Sequence, residues 1–220
     1  MKMKRAVQDI NFYDPPGSIW KKINGTPYPY QADTTFLQLR DLALMSALYL
    51  SCCRITEMVG GPVACGILPG VTVGQFDGQD PDFLRLRSVK NIKHKYTKRA
   101  GAWVPINNPS LYPTRNEIKF PRRGSFSPFT RAIDDYLGLV SKAPQVPVFR
   151  IGVRRAQQII DTTAGIWPHY LRDQGFRAWY RVFKLDAFKL KQFSGHKNWD
   201  SLEKYMYELT DQDFKAALDF

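Results

Sequence analysis

The stretch from residue 168 to residue 207 constrains the fold most, because it combines charged side chains with an apolar helical face. His169 and Arg172 are three positions apart and therefore share one face of a helix that Pro168 is suited to start. The same face continues as an apolar stripe, made of Phe176, Trp179 or Tyr180, and Phe183. A histidine and an arginine at the start of such a core-facing stripe are not free to extend into solvent. A buried guanidinium then needs an anion or a dense set of hydrogen-bond acceptors.

More polar side chains follow in the same stretch. Gly195 is suited to a helix end and precedes His196, while Asp200 and Glu203 resemble a capping box for a helix that carries Tyr205. Two imidazoles, one guanidinium and one phenol are thus gathered in a few short elements, without a cluster of cysteines or carboxylates. A metal site fits this set poorly, whereas a phosphate site fits well, because arginine gives bidentate contacts and histidine moves protons. We expect neither a metal nor a cofactor.

The spacing of these residues resembles the catalytic core of the tyrosine recombinase (phage integrase) family. The family signature is a histidine, two residues, an arginine, then a Gly-His pair, and a tyrosine nine residues after that histidine. His169, Arg172, Gly195-His196 and Tyr205 occupy these positions. Each residue alone would be read as an ordinary core or surface residue, so the resemblance depends on the complete set. It covers roughly residues 33–210.

A second part of the family pattern follows an apolar helix that is predicted to begin at Asp33 or Thr34. Arg54 and Glu57 are three residues apart, and the pair resembles the family's first arginine box, in which a glutamate follows an arginine after three residues. An ordinary surface ion pair is the alternative interpretation. The resemblance implies that Arg54 binds phosphate and that Glu57 positions it. Gly60-Gly61-Pro62 should end the helix.

A small antiparallel sheet is predicted where strand-forming residues alternate between turn residues, at 71–77, 83–90 and 102–106. In the family, a lysine on this hairpin reaches the active site as a general acid. Lys90 matches best, because it follows a strand and precedes the turn, and Lys93 is the second choice. Lys95 and Lys98 stay open. The alternative is that these lysines contact backbone phosphates of DNA.

The remaining segments complete a predicted α+β, mainly α-helical fold with an integrase-type catalytic domain. Residues 1–32 read as an irregular basic arm that lies on DNA or is a solvated tail, and 33–210 as the catalytic domain. The Pro- and Arg-rich segment 107–127 predicts a surface connection in which Arg122 and Arg123 contact DNA. Amphipathic helices are expected at 130–141 and 151–163. Residues 211–220 predict a final helix that packs on its own domain or on a neighbouring subunit.

The charge of the chain indicates a polyanionic partner. The formal net charge is +12 and the pI is about 9.7. Cys52, Cys53 and Cys65 form neither a disulfide framework nor a zinc spacing, and the first two are expected to pack inside an apolar helix in a reducing compartment. No run approaches the roughly 20 apolar residues of a membrane span. We therefore expect a cytoplasmic, DNA-associated protein without a membrane partner.

The resemblance implies a site-specific recombinase or integrase of the kind that mobile genetic elements carry. Tyr205 would attack a phosphodiester of double-stranded DNA and form a 3′-phosphotyrosine intermediate. Arg54 and Arg172 would bind the non-bridging oxygens, His169 would accept the phenolic proton or bind the phosphate, and His196 would support the transition state. The hairpin lysine would protonate the leaving 5′-oxygen. Recombination would require further protomers on the DNA, as a dimer or tetramer.

Other functions fit part of the pattern. A type IB topoisomerase or a hairpin telomere resolvase would use the same residues. A basic DNA-binding protein could have the fold without the activity. A basic RNA-binding protein, which would lie outside the superfamily, is a further alternative. Family members usually carry a separate helical DNA-binding domain before the catalytic one, whereas about 30 residues precede the first core helix here. The chain is therefore expected to be a fragment or a compact member.

Overall fold

The helices dominate the computed structural model of the protein, which describes residues 13–25, 34–63, 66–87, 96–99, 102–105, 117–140, 142–184, 186–194, 199–200 and 202–203. Within these ranges the α-helices are α1 (Pro16–Asn24), α2 (Thr34–Ser51), α3 (Ile55–Val59), α4 (Ser127–Leu139), α5 (Val153–Ala164), α6 (Pro168–Val182) and α7 (Ala187–Ser194). None of the helices in these ranges has the length and apolarity that crossing a membrane requires.

The described strands are short and pair only in antiparallel fashion. They are β1 (Gly60–Val63), β2 (Gly66–Pro69), β3 (Phe76–Asp77), β4 (Phe83–Leu86), β5 (Tyr96–Arg99), β6 (Ala102–Pro105) and β7 (Ile118–Pro121). β4 lies between β3 and β7 in a three-stranded sheet, while β1–β2 and β5–β6 form separate two-stranded sheets. The predicted mainly α-helical α+β class with a small antiparallel sheet is therefore confirmed.

The core is built around α2. Its residues from position 43 to position 50 are all buried, so the helix is apolar on every side and must be enclosed by other elements. α4 and α6 provide the largest contacts with it, and α1, α3 and α5 contact it as well. The largest buried side chains around α2 are aromatic, and Tyr49 lies 4.7 Å from Phe129 of α4 between ring centroids. α2 is thus the element against which the others are positioned.

One segment that was expected to be irregular contains a packed helix. α1 lies inside the predicted basic arm 1–32, and its Ile19 and Ile23 are completely buried. Pro16 supplies a favourable first helical position, and the two isoleucines are four residues apart, which places them on one face. Trp20 also packs on Phe129 with a centroid distance of 5.2 Å. The prediction of an irregular arm is therefore wrong for Pro16–Asn24.

The strand prediction needs three corrections, at 71–77, 102–106 and 107–127. The strand at 102–106 was expected in one sheet with the other two, whereas β6 pairs with β5 and β7 takes its place beside β4. Within 71–77 only β3 is a regular strand, because Val73–Gln75 forms a 3-10 turn that begins when the Gln75 side chain accepts a hydrogen bond from the backbone N–H of Thr72 at 2.7 Å. The segment 107–127 was expected to be a surface connection, yet β7 lies in it. Ile118 and Phe120 of β7 are buried, and a strand this short gives too few alternating residues for recognition.

The predicted helices of the second half are present, with shifted ends. α4 begins at Ser127, three residues before the predicted start, and Pro128 lies in its first turn. α5 covers Val153–Ala164, close to the predicted 151–163, and ends where Gly165 adopts a left-handed conformation with φ of 63°. α6 begins at Pro168, as predicted from the proline.

Candidate phosphate-binding site at the junction of α2, α3 and α6

Arg172 lies in the second turn of α6 and is directed at the end of α2. The residue is 6% exposed, and its Nη1 donates a hydrogen bond to the carbonyl oxygen of Cys52 at 2.5 Å. The guanidinium also lies 4.9 Å from the ring centroid of Phe176, one turn further along α6. A cation at the C-terminal end of a helix interacts favourably with the helix dipole. Arg172 is therefore held by protein groups next to the segment that leads into Arg54.

The segment between α2 and α3 turns sharply at Cys52. α2 ends at Ser51, and Cys52 adopts a positive φ of 51°, which is uncommon for a residue with a side chain. Cys52 and Cys53 are both buried. The sequence-based placement of these two residues inside the helix is thus wrong, although their packing role is correct. The turn carries the chain from the core helix to Arg54 at the surface.

Arg54 and Glu57 form the start of α3. Glu57 Oε2 accepts a hydrogen bond from the Arg54 backbone N–H at 2.7 Å, and Glu57 Oε1 lies 3.1 Å from Arg54 Nη1. This is the glutamate half of a capping box, in which the third helical residue contacts the residue before the helix. The Glu57 side chain is 6% exposed, whereas the Arg54 side chain is 50% exposed. A buried carboxylate therefore orients a guanidinium that reaches solvent.

The junction of α2 and α6 is close because of Gly175. A Cβ atom at this position would lie 2.2 Å from the carbonyl oxygen of Tyr49 and 2.9 Å from Cys52 Sγ. Four residues later, Trp179 Nε1 donates a hydrogen bond to the carbonyl oxygen of Leu50 at 2.8 Å. One face of α6 thus contacts the C-terminal end of α2 along two turns, which fixes where Arg172 lies.

His169 lies one turn before Arg172 and is exposed. The expectation that both residues belong to the core-facing stripe is therefore wrong for His169. Residues three apart on a helix differ by about 60° around its axis, so the boundary of the buried face can pass between them. The arrangement leaves the imidazole accessible from outside, at the start of α6, while the guanidinium one turn away is enclosed.

Several predicted site residues lie outside the described part of the chain. These are Lys90, Lys93, Lys95, His196 and Tyr205, together with the predicted helix 211–220. Lys98 lies in β5, where its backbone pairs with Trp103 of β6. A helical turn at Asp200 is present, because Glu203 donates a backbone hydrogen bond to Trp199 at 3.0 Å. The structure thus places Arg172 at the turn that leads into the Arg54–Glu57 pair, with His169 one turn earlier in α6.

The two arginines predicted to contact DNA have different surroundings. The Arg122 guanidinium forms an ion pair with Asp134 of α4, and its Nε donates to the carbonyl oxygen of Asp80 at 3.2 Å. Arg122 therefore links the end of β7 to α4. Arg123 lies 3.2 Å from Asp82, and its side chain is 85% exposed. Of the two, Arg123 has the exposure that contact with a DNA backbone requires.

The opposite side of α6 holds a polar cluster that the sequence analysis did not identify. Asp14 is 3% exposed and contacts Ser18, Lys22 and Tyr170, and Gln174 Oε1 accepts a hydrogen bond from the Asp14 backbone N–H at 2.8 Å. Burial raises the pKa of Asp14, but the hydrogen bonds from Lys22, Tyr170 and Ser18 outweigh it and hold this pKa below its ordinary value. Asp14, Ser18 and Lys22 are spaced four residues apart, but no short-range pattern indicates their contact with Tyr170 of α6.

Gly175 is a missed residue that has a detectable signal in the sequence. A glycine inside a helix is unfavourable by about 1 kcal/mol relative to alanine, so it often marks a close approach of another backbone.

Comparison with known proteins adds no family or relative, because neither the protein-family models nor the curated proteins contain a match to this chain. The described residues also contain no group of three His, Cys, Asp or Glu side chains that could hold a metal ion.

Proposed function

We propose that the protein is a site-specific DNA recombinase or integrase of the tyrosine recombinase type, with an integrase-type catalytic domain. The observation that carries the proposal is the meeting of Arg172 with the turn that leads into Arg54. Arg172 donates to Cys52 from a position 120 residues away, and two residues after Cys52 the chain reaches an arginine oriented by a buried glutamate. Two guanidinium groups near one turn suit a phosphodiester whose charge increases in the transition state.

The proposed reaction is a transesterification. The Tyr205 hydroxyl attacks the phosphorus, the bond from phosphorus to the 5′-oxygen breaks, and the products are a 3′-phosphotyrosine and a free 5′-hydroxyl. His169 accepts the phenolic proton or hydrogen-bonds the phosphate, and its exposure in α6 makes it accessible to a substrate outside the core. His196 supports the transition state. The bond energy is conserved in the phosphotyrosine, so the reverse step rejoins the strand.

A lysine on the predicted hairpin donates a proton to the leaving oxygen, and Lys90 matches best. Arg54 and Arg172 stabilise the non-bridging oxygens, and Glu57 acts on Arg54 as a positioning residue through its contact at 3.1 Å. The hydrogen bond from Arg172 to Cys52 fits this role, because a guanidinium held in place by the protein needs no reorganisation when charge develops on the phosphate. The +12 net charge supplies the attraction for duplex DNA, to which Arg123 adds an exposed contact.

A nicked duplex tests this function. Cleavage next to a nick releases a short strand that diffuses away, so the covalent protein–DNA complex accumulates and is visible after denaturing electrophoresis. We expect this complex with the native protein in the presence of a chelator, and none with Tyr205→Phe. Tyr207→Phe is the matched control and should still form the complex, because on the predicted helix two residues turn a side chain by about 200°.

The results that would contradict the proposal are specific. Dependence on magnesium at matched ionic strength would exclude the phosphotyrosine mechanism. A covalent complex formed by Tyr205→Phe and lost in Tyr207→Phe would exclude Tyr205 as the nucleophile. Relaxation of supercoiled plasmid without sequence preference would instead assign a type IB topoisomerase activity. Binding of DNA without a covalent product on any nicked substrate would leave a DNA-binding protein without this chemistry.

A further inference from the structure

Two aromatic side chains lie exposed at α7, outside the site described above. Phe188 is 75% exposed and Trp199 is 37% exposed, and their ring centroids are 5.1 Å apart at an interplanar angle of 81°. Lys191 Nζ lies 4.2 Å from the Trp199 ring centroid. We call Phe188, Lys191 and Trp199 the α7 platform.

The folding of α7 does not explain why Phe188 is aromatic. The inner side of the helix is provided by Leu190, which is completely buried, and by Phe193, whose ring lies 5.0 Å from that of Trp179 in α6. These contacts anchor α7 to the core. A phenyl ring that leaves three quarters of its surface in water gains little from burial, and with Trp199 it forms an exposed aromatic pair that is available to a partner.

The geometry of the platform leaves the Phe188 ring as the available surface. The Trp199 ring is contacted by the Phe188 ring in an edge-to-face arrangement and by the Lys191 ammonium group over its face. These contacts hold Trp199 in place, and Trp199 in turn supports Phe188. Lys189 follows Phe188, and its exposed side chain lies 3.2 Å from Asp186.

Charge identifies the class of partner. Residues 181–199 contain five lysines or arginines and one acidic residue. Lysine is depleted in the cores of protein–protein interfaces, whereas an aromatic ring beside lysines is the arrangement that binds single-stranded nucleic acid. The ring stacks on a base, which has a π-face whatever its identity, and the ammonium groups attract the neighbouring phosphates.

We propose that Phe188 stacks on an unpaired nucleobase of a bound nucleic acid strand, with Lys189 and Lys191 beside the adjacent phosphates. Trp199 supports the Phe188 ring. A duplex with all bases paired presents no free base face to this surface. The proposal shares the nucleic acid partner of the proposed function but needs neither the arginine site nor the cleavage chemistry, so each can fail without the other.

Binding of a labelled single-stranded oligothymidine and of a duplex of the same length, measured by fluorescence anisotropy at one salt concentration, tests the platform on the full chain. We expect Phe188→Ala to weaken single-strand binding by about 5- to 150-fold, which is the range for one base stacked on an aromatic residue. Duplex binding should change by less than about two-fold. Phe188→Trp should retain single-strand binding, because it keeps a stacking face, and Phe188→Leu should lose it.

Phe36→Ala is the matched control, because Phe36 is 44% exposed on α2 and packs against Tyr136 instead of a lysine. It should leave single-strand binding unchanged. Thermal unfolding of each variant shows that the fold is intact. Single-strand binding by Phe188→Leu that equals the native value would overturn stacking. Equal losses of single-strand and duplex affinity upon Phe188→Ala would also overturn it. A change in self-association of the free protein upon Phe188→Ala would instead assign Phe188 to a protein interface, and loss of binding to anionic lipid vesicles alone would assign it to a membrane surface.

Discussion

At the scale of single residues, Arg172 has two roles, one structural and one proposed to be catalytic, that experiments can separate. Its Nη1 contact with Cys52 contributes to the junction of α2 and α6, and its planar group is proposed to bind phosphate. Lysine keeps the positive charge but cannot donate from two parallel positions. The substitution of Arg172 by lysine therefore separates charge from geometry.

Arg172→Lys should decrease the rate of covalent complex formation on a nicked duplex by roughly 10²–10³, the effect of losing one preorganised transition-state donor. Duplex affinity should change little, because the charge is preserved. Arg155→Lys is the control, since Arg155 is exposed on α5 and donates to Gln158 at 2.9 Å. Near-native cleavage by Arg172→Lys would assign Arg172 to the structure alone.

Asp14 gives a prediction about pH. Its pKa is below the ordinary value in the folded protein, so it stabilises the fold above the unfolded pKa of about 3.9 and loses this effect as the pH falls further. Asp14→Asn should lower the free energy of unfolding by about 1–3 kcal/mol at neutral pH, because charged hydrogen bonds from Lys22 and Tyr170 are lost.

Urea unfolding at several pH values measures this difference. The gap in free energy of unfolding between the native protein and Asp14→Asn should be constant between about pH 7 and pH 5 and decrease below about pH 4. A gap that stays constant down to about pH 2 would show that the charge of Asp14 is not its source.

At the scale of elements, the packing of α6 on α2 controls where the candidate site forms. The contact depends on the absence of a side chain at Gly175, because a Cβ there would lie 2.2 Å from the Tyr49 carbonyl oxygen. Backbone atoms cannot give way as a side-chain end can. A larger residue at this position must therefore displace α6, and Arg172 moves with it.

Gly175→Ala should destabilise the protein by about 1–3 kcal/mol, as overpacking of a tight contact does, and should also slow cleavage. Gly138→Ala is the matched control, since Gly138 lies in α4, is exposed, and has no atom within 4 Å of an added Cβ. This control should be neutral or stabilise by up to about 1 kcal/mol, because alanine favours a helix. Equal effects of the two substitutions on urea unfolding would contradict the close-contact interpretation.

Local sequence patterns predicted the helices better than they predicted the contacts between residues that are distant in the sequence. The start of α6 follows from Pro168, and the burial of α2 follows from its dense apolar residues. The partner of Arg172 could not be predicted, because Cys52 is 120 residues away and contributes a backbone carbonyl, which has no sequence signature. The same holds for Asp14 and Tyr170, which are 156 residues apart.

The exposure of His169 was missed for a different reason. The spacing of three residues places it beside Arg172, but a helical face has an edge, and the width of the buried face depends on what packs there. The part of the site that is local in sequence, Arg54 with Glu57, was predicted as a contacting pair, and the structure adds that it caps α3. Lys90, His196 and Tyr205 stay predictions.

At the scale of the whole molecule, the +12 net charge and the separate positions of the proposed contacts determine how nucleic acid would bind. Arg123 lies after β7, His169 lies in the first turn of α6, and the α7 platform lies further along the chain. Each basic contact releases counterions from the DNA when it forms. The number of such contacts can therefore be read from the dependence of affinity on salt.

Duplex affinity should fall by roughly 10³ between 50 and 200 mM salt if about six phosphates are contacted. Arg123→Ala should decrease the slope of log affinity against log salt by about one contact, because its side chain is exposed and the loss of one phosphate contact removes about 0.9 from that slope. Phe188→Ala should leave the duplex slope unchanged, since a phenyl ring neutralises no phosphate. Anisotropy titrations at several salt concentrations give all three slopes, and a duplex affinity that does not change with salt would contradict electrostatic binding by this protein.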